Sequence, residues 1–354
     1  MLIVLTMLMV FSVTWPHTSD AQEMPAHDSP PTVNSDPALH LRGFTDIDFS
    51  QTDDEASPGG FNLGQLALHL SASLGPKVSF FGETSFTARS TAFTVEVERA
   101  ILRYDYNDRF KISVGRYHTP INYWNTAFHH GLWLQTTISR PEMIQTGGTF
   151  QPVHFVGLLA EGTVGPPAIG LGYNLGVGNG RGSIISRAGD AGDANGNRAW
   201  LAKVYARPAS LYFLEAGGAV YHDLVPVANT EGFPELISSA YLALTSEMPE
   251  VIAEFANVRH HDRASGLDYN SQAFYLQAAA RLPTLAALKP YARIEKMLGE
   301  NAEPVFGDVS SSTATAGVRF ELTDVVALKG EYRRMHRPGR VAVNGLYLQA
   351  ALTF

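Results

Sequence analysis

The chain contains no cysteine. That excludes thiolate zinc sites, iron–sulfur clusters and cysteine nucleophiles, and it suits a chain that crosses an oxidising compartment without forming wrong bridges. Nor does any apolar run reach the roughly 20 residues that span a bilayer as a helix, so helical membrane spans are excluded too. The nearest approach is 2–13 (LIVLTMLMVFSV), followed by a polar stretch that ends Ser19-Asp20-Ala21. This pattern predicts a secretory signal peptide over 1–21, despite the absence of Lys or Arg before the apolar block. Residues 22–38 contain Pro and Asp and read as a short lead in the periplasm, too short for a plug domain. Basic charge is scarce as well. The 26 Lys plus Arg stand against 34 Asp plus Glu, for a formal charge of −8, which argues against a duplex nucleic-acid partner.

What the sequence does have is alternation. Leu346, Leu348, Ala350, Leu352 and Phe354 fall on every second position up to the last residue, as expected of a strand with one apolar face. Period-two runs predict sixteen strands, near 39–50, 60–74, 77–88, 92–106, 109–117, 152–163, 168–178, 198–208, 210–222, 236–246, 250–259, 272–282, 288–297, 312–322, 325–333 and 343–354. Their connections alternate in length, apart from a short joint near Arg89 and Ser90 on the long-loop side. Tight turns such as Gly75-Pro76, Pro166-Pro167 and Thr323-Asp324 lie on one side, whereas 52–59, 118–151, 179–197, 223–235, 260–271 and 298–310 are long. Short turns on one edge and long loops on the other, with an even strand count, predict an all-β fold, a transmembrane antiparallel β-barrel over 39–354. The expected location is the bacterial outer membrane, with lipid around the wall.

The polar faces carry opposite charges close together. A charge facing lipid is costly, by about 2–4 kcal/mol for Lys or Arg at the bilayer midplane, so these residues are expected to line a wet lumen. The lumen-wall set is Arg42, Asp46, Asp48, Arg103, Lys203, Arg207, Arg281, Arg293, Glu295, Arg319, Glu321, Lys329, Glu331 and Arg333. At sixteen strands a barrel is too wide for wall side chains to fill, and an aqueous channel is expected. The 118–151 connection is rich in apolar and aromatic residues that need burial, so it is expected to fold inward and narrow the channel. Tyr123, Trp124, Phe128 and Trp133 would pack it, and His129, His130, Arg140 and Glu142 would be its pore-facing groups.

This layout resembles the sixteen-stranded bacterial porins, in which the loop between the fifth and sixth strands folds into the barrel. The run Val97-Glu98-Arg99-Ala100-Ile101-Leu102-Arg103-Tyr104-Asp105-Tyr106, with Val114-Gly115-Arg116-Tyr117 and Pro120, is similar to the phosphate-selective porin O/P-like members. One departure stands out: those members carry Lys and Arg clusters at the constriction, whereas 118–151 holds one cation, Arg140, and one anion, Glu142. The resemblance implies a porin for passive diffusion of small hydrophilic solutes or ions, with no catalysis and no cofactor; a substrate-selective anion channel is the alternative. It also implies a homotrimer, and it makes terminal Phe354 the signal read by the barrel assembly machinery.

Other chemistries find less support. His129-His130 and His260-His261 invite a metal reading, but adjacent histidines point in different directions and no carboxylate–histidine set of known spacing lies nearby, so no metal is expected. DAGDANGN at 190–197 lacks the terminal Glu of a calcium loop. The glycines of 170–180 precede no apolar helix and so cradle no dinucleotide. A hydrolase with a Ser-His-acid site at the barrel rim is the enzyme alternative, although no spacing singles out a triad.

Overall fold

The computed structural model describes residues 38–57, 59–145 and 149–354. The expected signal peptide and nearly all of the lead lie outside them. Sixteen antiparallel strands close into one barrel in which every strand pairs with its sequence neighbours and the last pairs with the first. The first half comprises β1 (Leu39–Thr52), β2 (Gly60–Gly75), β3 (Val78–Ala88), β4 (Phe93–Asn107), β5 (Phe110–His118), β6 (His154–Val164), β7 (Leu171–Asn179) and β8 (Ala199–Ala206). The second comprises β9 (Leu214–Val225), β10 (Phe233–Thr245), β11 (Glu250–His261), β12 (Asp268–Ala279), β13 (Leu288–Leu298), β14 (Ser311–Thr323), β15 (Val326–His336) and β16 (Val343–Thr353). The expected strands are all present; β10 and β12 begin a few residues earlier than their periodicity suggests.

The polarity of the wall is inverted relative to a soluble sheet. On β12, Phe274 and Leu276 are 44% and 43% exposed, while Tyr275 and Gln277 between them are 2% exposed. On β14, Val318, Phe320 and Leu322 are exposed, whereas Thr315 and Arg319 are buried. An apolar exterior around a closed sheet satisfies every backbone group internally and meets hydrocarbon without penalty, the requirement for crossing a bilayer with strands. Tyr104, Tyr106, Phe110 and Tyr212 also project outward near the short-turn end, and Trp200 and Tyr332 toward the other, in keeping with aromatic girdles.

Closure joins β1 to β16 from Phe44↔Thr353 to Thr52↔Gly345. Phe354 continues the ladder, exchanging backbone hydrogen bonds with Gly43 at 2.8 and 3.0 Å. Its ring covers Gly43 so closely that a Cβ there would fall 2.3 Å from the ring. A Cβ here would push the ring aside, so the glycine lets the terminal aromatic lie close over β1.

Candidate functional site

In its described residues, the β5–β6 connection lies inside the barrel and touches its wall on several sides. It contains one helical turn, α1 (Trp124–Ala127), and a 3-10 turn at Glu142–Ile144. Trp124, Ile121, Met143, Ile144 and Phe150 of the loop pack on Leu201, Tyr221, Ile237, Ile252, Val258, Tyr275 and Met297, which project inward from β8 to β13. This departs from a uniformly polar lumen, because the loop brings apolar side chains that need an apolar wall. Tyr123 and Phe128 pack at the edge of that cluster, while Trp133 joins Phe44, Ala67, Ala327 and Ala351 in a second one. Gly131 has φ +81°, a left-handed conformation, and a Cβ there would lie 3.0 Å from the Phe44 ring.

Half of the charges expected to face open water hold the loop instead. Arg293 donates to Ser139 O at 2.9 Å, Arg140 O at 3.1 Å and Thr137 Oγ1 at 3.2 Å, while pairing with Glu295 at 2.8 Å. Arg319 donates to the carbonyls of Trp133 and Gln135, Lys329 to those of Leu132 and Thr137, and Lys203 to that of Asn122. Carboxylates receive the loop's amides: Glu331 from Ile138 and Ser139, Glu295 from Glu142, and Glu254 from Trp124. A loop without regular structure leaves its backbone groups unpaired, and buried backbone groups need partners. The wall charges supply them. Arg293, Arg319, Lys329, Lys203, Glu295 and Glu331 are accordingly buried, and Asp46, which accepts from the Gln65 amide on β2, is buried as well.

The remaining wall residues fall in several places. Arg103 pairs with Asp105 and Glu161, Arg207 with Glu215, and Arg281 with Glu247 and Glu321, all toward the short-turn end. Opposing burial, Glu247 and Glu321 hold the Arg281 guanidinium above its ordinary range. Arg42 is exposed on β1. Arg333 pairs with Glu142 of the loop. Asp48 accepts from Gln349 at 3.0 Å and borders a cavity of about 190 Å³ between Ile138 of the loop and the β1–β2–β16 wall, where Ser50, Asn62 and Tyr347 are further lining residues.

The pore-facing expectation is corrected for the loop histidines. His129 and His130 are 2% and 4% exposed. Arg140 donates to the His129 carbonyl and lies over the Trp124 ring, 5.4 Å from its centroid. Around the two histidines stand His118 at the end of β5, His154 at the start of β6 and Glu98 on β4. His118 and His154 are direct register partners. Glu98 occupies a β-bulge, where Glu83 pairs with Arg99 and Thr84 with Val97, so the extra residue turns inward. Ligand atoms of these five side chains lie within 4.8 Å of one another. Glu98, His118 and His154 carried no signal in the sequence, being scattered among strands whose register only closure sets. The second pair separates: His260 is buried between Glu235 at 2.9 Å and Glu303 at 2.7 Å, and His261 pairs at the surface with Asp268 at 2.9 Å.

No protein-family model matches the chain, and no curated protein matches it in sequence. Solved structures do match in fold. An anion-selective porin from Comamonas acidovorans aligns with TM-score 0.66 at 12% identity, covering 90% of this chain and 100% of that one. OmpF of Salmonella typhi, in complex with daunomycin, aligns with TM-score 0.64 at 10% identity, covering 89% and 97%. OmpT, an outer membrane protein of Vibrio cholerae, in its trimer form, aligns with TM-score 0.57 at 13% identity, covering 90% and 99%. At these identities the likeness is one of architecture, and the architecture of this chain is the sixteen-stranded outer-membrane porin barrel.

Proposed function

We propose that this chain is a porin of the bacterial outer membrane, a non-enzymatic, water-filled channel for passive diffusion of small hydrophilic solutes or ions. The observation that carries the reading is the closed sixteen-strand barrel with an apolar exterior and a loop held inside by the charges of its own wall. A barrel of this size has room for water, and a loop fixed at many points narrows it to a set width. We read the cavity between Ile138 and the β1–β2–β16 wall as part of the passage, with Asp48 as its charged lining residue. A carboxylate lining the passage favours cations, so weak cation preference is the selectivity this reading supports.

Phosphate selectivity finds no comparable support. Arg140 is the single Lys or Arg of 118–151, and its guanidinium is taken up by the His129 carbonyl and the Trp124 ring. Homotrimer assembly is part of the proposal, in line with the trimer form of the Vibrio cholerae protein. So are export by the 1–21 signal peptide and delivery to the barrel assembly machinery through Phe354.

The test is planar-bilayer conductance of the refolded chain lacking 1–21, with a salt gradient. Stepwise currents with a reversal potential of cation-selective sign are expected. A reversal of opposite sign would favour the anion-selective alternative. A folded barrel that passes no current would sink the channel reading and favour the rim-enzyme alternative.

A further inference from the structure

We propose that Glu98, His118, His129, His130 and His154 form a binding site for a first-row divalent transition metal, zinc or a close analogue, that rivets the interior loop to the barrel wall. The proposal rests on side-chain geometry and does not depend on the channel reading.

Convergence is the first support. Two nitrogens on one zinc ion lie at most about 4.2 Å apart, twice the usual bond length. The five ligand atoms here fall within 4.8 Å of one another, against about 3.4 Å between tetrahedral ligands, so binding needs the set to contract by up to about 1.4 Å. The ring centroids of His129 lie 4.2, 4.3 and 4.9 Å from those of His118, His130 and His154.

Unmet valence is the second. Glu98 Oε2, both ring nitrogens of His118, Nε2 of His130 and Nε2 of His154 are buried and make no hydrogen bond. His130 and His154 approach Glu98 Oε2 at 3.1 and 3.0 Å, yet neither N–H direction meets it. Buried polar atoms in native proteins are almost always satisfied, and so many unsatisfied ones around a single point call for a common partner.

Orientation is the third. His130 Nδ1 lies 2.6 Å from Gln65 Oε1 and His129 Nδ1 lies 3.0 Å from Asn125 Oδ1. The Gln65 oxygen can only accept, so His130 Nδ1 donates and its Nε2 carries the lone pair; His129 Nδ1 also meets Arg140 Nη1 at 3.4 Å, a donor, so its two neighbours call for opposite tautomers. Ser85 donates to Glu98 Oε1 at 2.6 Å, which leaves Oε2 for the centre. Such outer partners fix metal-ligating histidines. Arg116 lies 3.5 Å from Glu98 Oε2 and pairs with Asp190, Arg99 pairs with Glu83, and Arg140 lies 3.4 Å from His129 Nδ1, so three guanidiniums border the site. Imidazole-rich sets with one carboxylate suit zinc, copper, iron or nickel, whereas magnesium and calcium take oxygen ligands. Burial points to a retained structural ion and away from a permeating one.

The experiment uses untagged protein, stripped with a chelator and titrated with cobalt(II) as a spectroscopic probe, then displaced by zinc. One ion per chain with a ligand-field band is expected. His118→Gln with His130→Gln should abolish the band, Gln65→Leu should weaken binding about 10- to 100-fold by freeing the His130 ring, and His261→Gln should bind as the parent does. Heat-modifiable migration checks that each variant is folded. Should the double variant fail to fold, Gln65→Leu and the parent titration decide. No stoichiometric cobalt binding by the folded parent, or a Gln65→Leu variant of unchanged affinity, overturns the site and leaves a water-filled histidine cluster.

Discussion

Arg293 is where the loop can be released with least change to the barrel. The side chain is 1% exposed and sits on β13 with Glu295 two residues along the same face. Its guanidinium reaches four loop acceptors: the Ser139 and Arg140 carbonyls, Thr137 Oγ1 and Ser139 Oγ, the last at 2.8 Å. Replacing it with Met keeps much of the volume but removes every one of these bonds and leaves Glu295 buried without its cation. Breaking a buried pair in this way costs about 3–5 kcal/mol, and even the lower figure shifts a docked-to-released ratio by roughly two orders of magnitude. The strand ladder is untouched, because β13 pairs with β12 and β14 through its backbone. The barrel should therefore persist while the loop loosens. Single-channel recording of Arg293→Met should show larger and noisier steps than the parent, and chymotrypsin should cut within the loop at Tyr123, Phe128 or Trp133. Arg293→Lys, which keeps the charge but not the fork, should fall between them. A folded Arg293→Met barrel with parental step size and an uncut loop would refute the claim that wall charges hold the constriction.

Other perturbations test separate parts of the structure. Asp48→Asn should move the reversal potential in a salt gradient toward anions without changing barrel stability; no movement would place the selective point elsewhere. Gly131→Val forces a β-branched residue into a left-handed conformation against Phe44, at a cost of about 1–3 kcal/mol, and should raise protease sensitivity of the loop while leaving strand content by circular dichroism intact. Phe354→Ala uncovers Gly43 and removes the terminal aromatic, and should lower the yield of heat-modifiable barrel in outer-membrane fractions; undiminished yield would remove Phe354 from assembly.

The barrel itself was legible because its determinants are local. Alternation along each strand chooses the face that meets lipid, as Phe274, Tyr275, Leu276 and Gln277 do on β12, and a strand can satisfy that preference whatever lies across the lumen. Connection length is equally local, and the aromatic content of 118–151 marked a segment in need of burial before any partner was known. What the sequence left open was the far side of each contact. Arg293 and Ser139 are 154 positions apart, and only the register of the closed sheet and the path of the loop bring them to 2.8 Å. The same holds for the histidines. His129-His130 looked ordinary because adjacent side chains diverge and no ligand spacing lies nearby. A bulge that turns Glu98 inward, the pairing of His118 with His154, and the folding of the loop onto β4–β6 assemble the cluster. Periodicity reports which way a side chain faces, whereas the group it meets across the barrel is fixed by register and loop path, which only the closed tertiary structure determines.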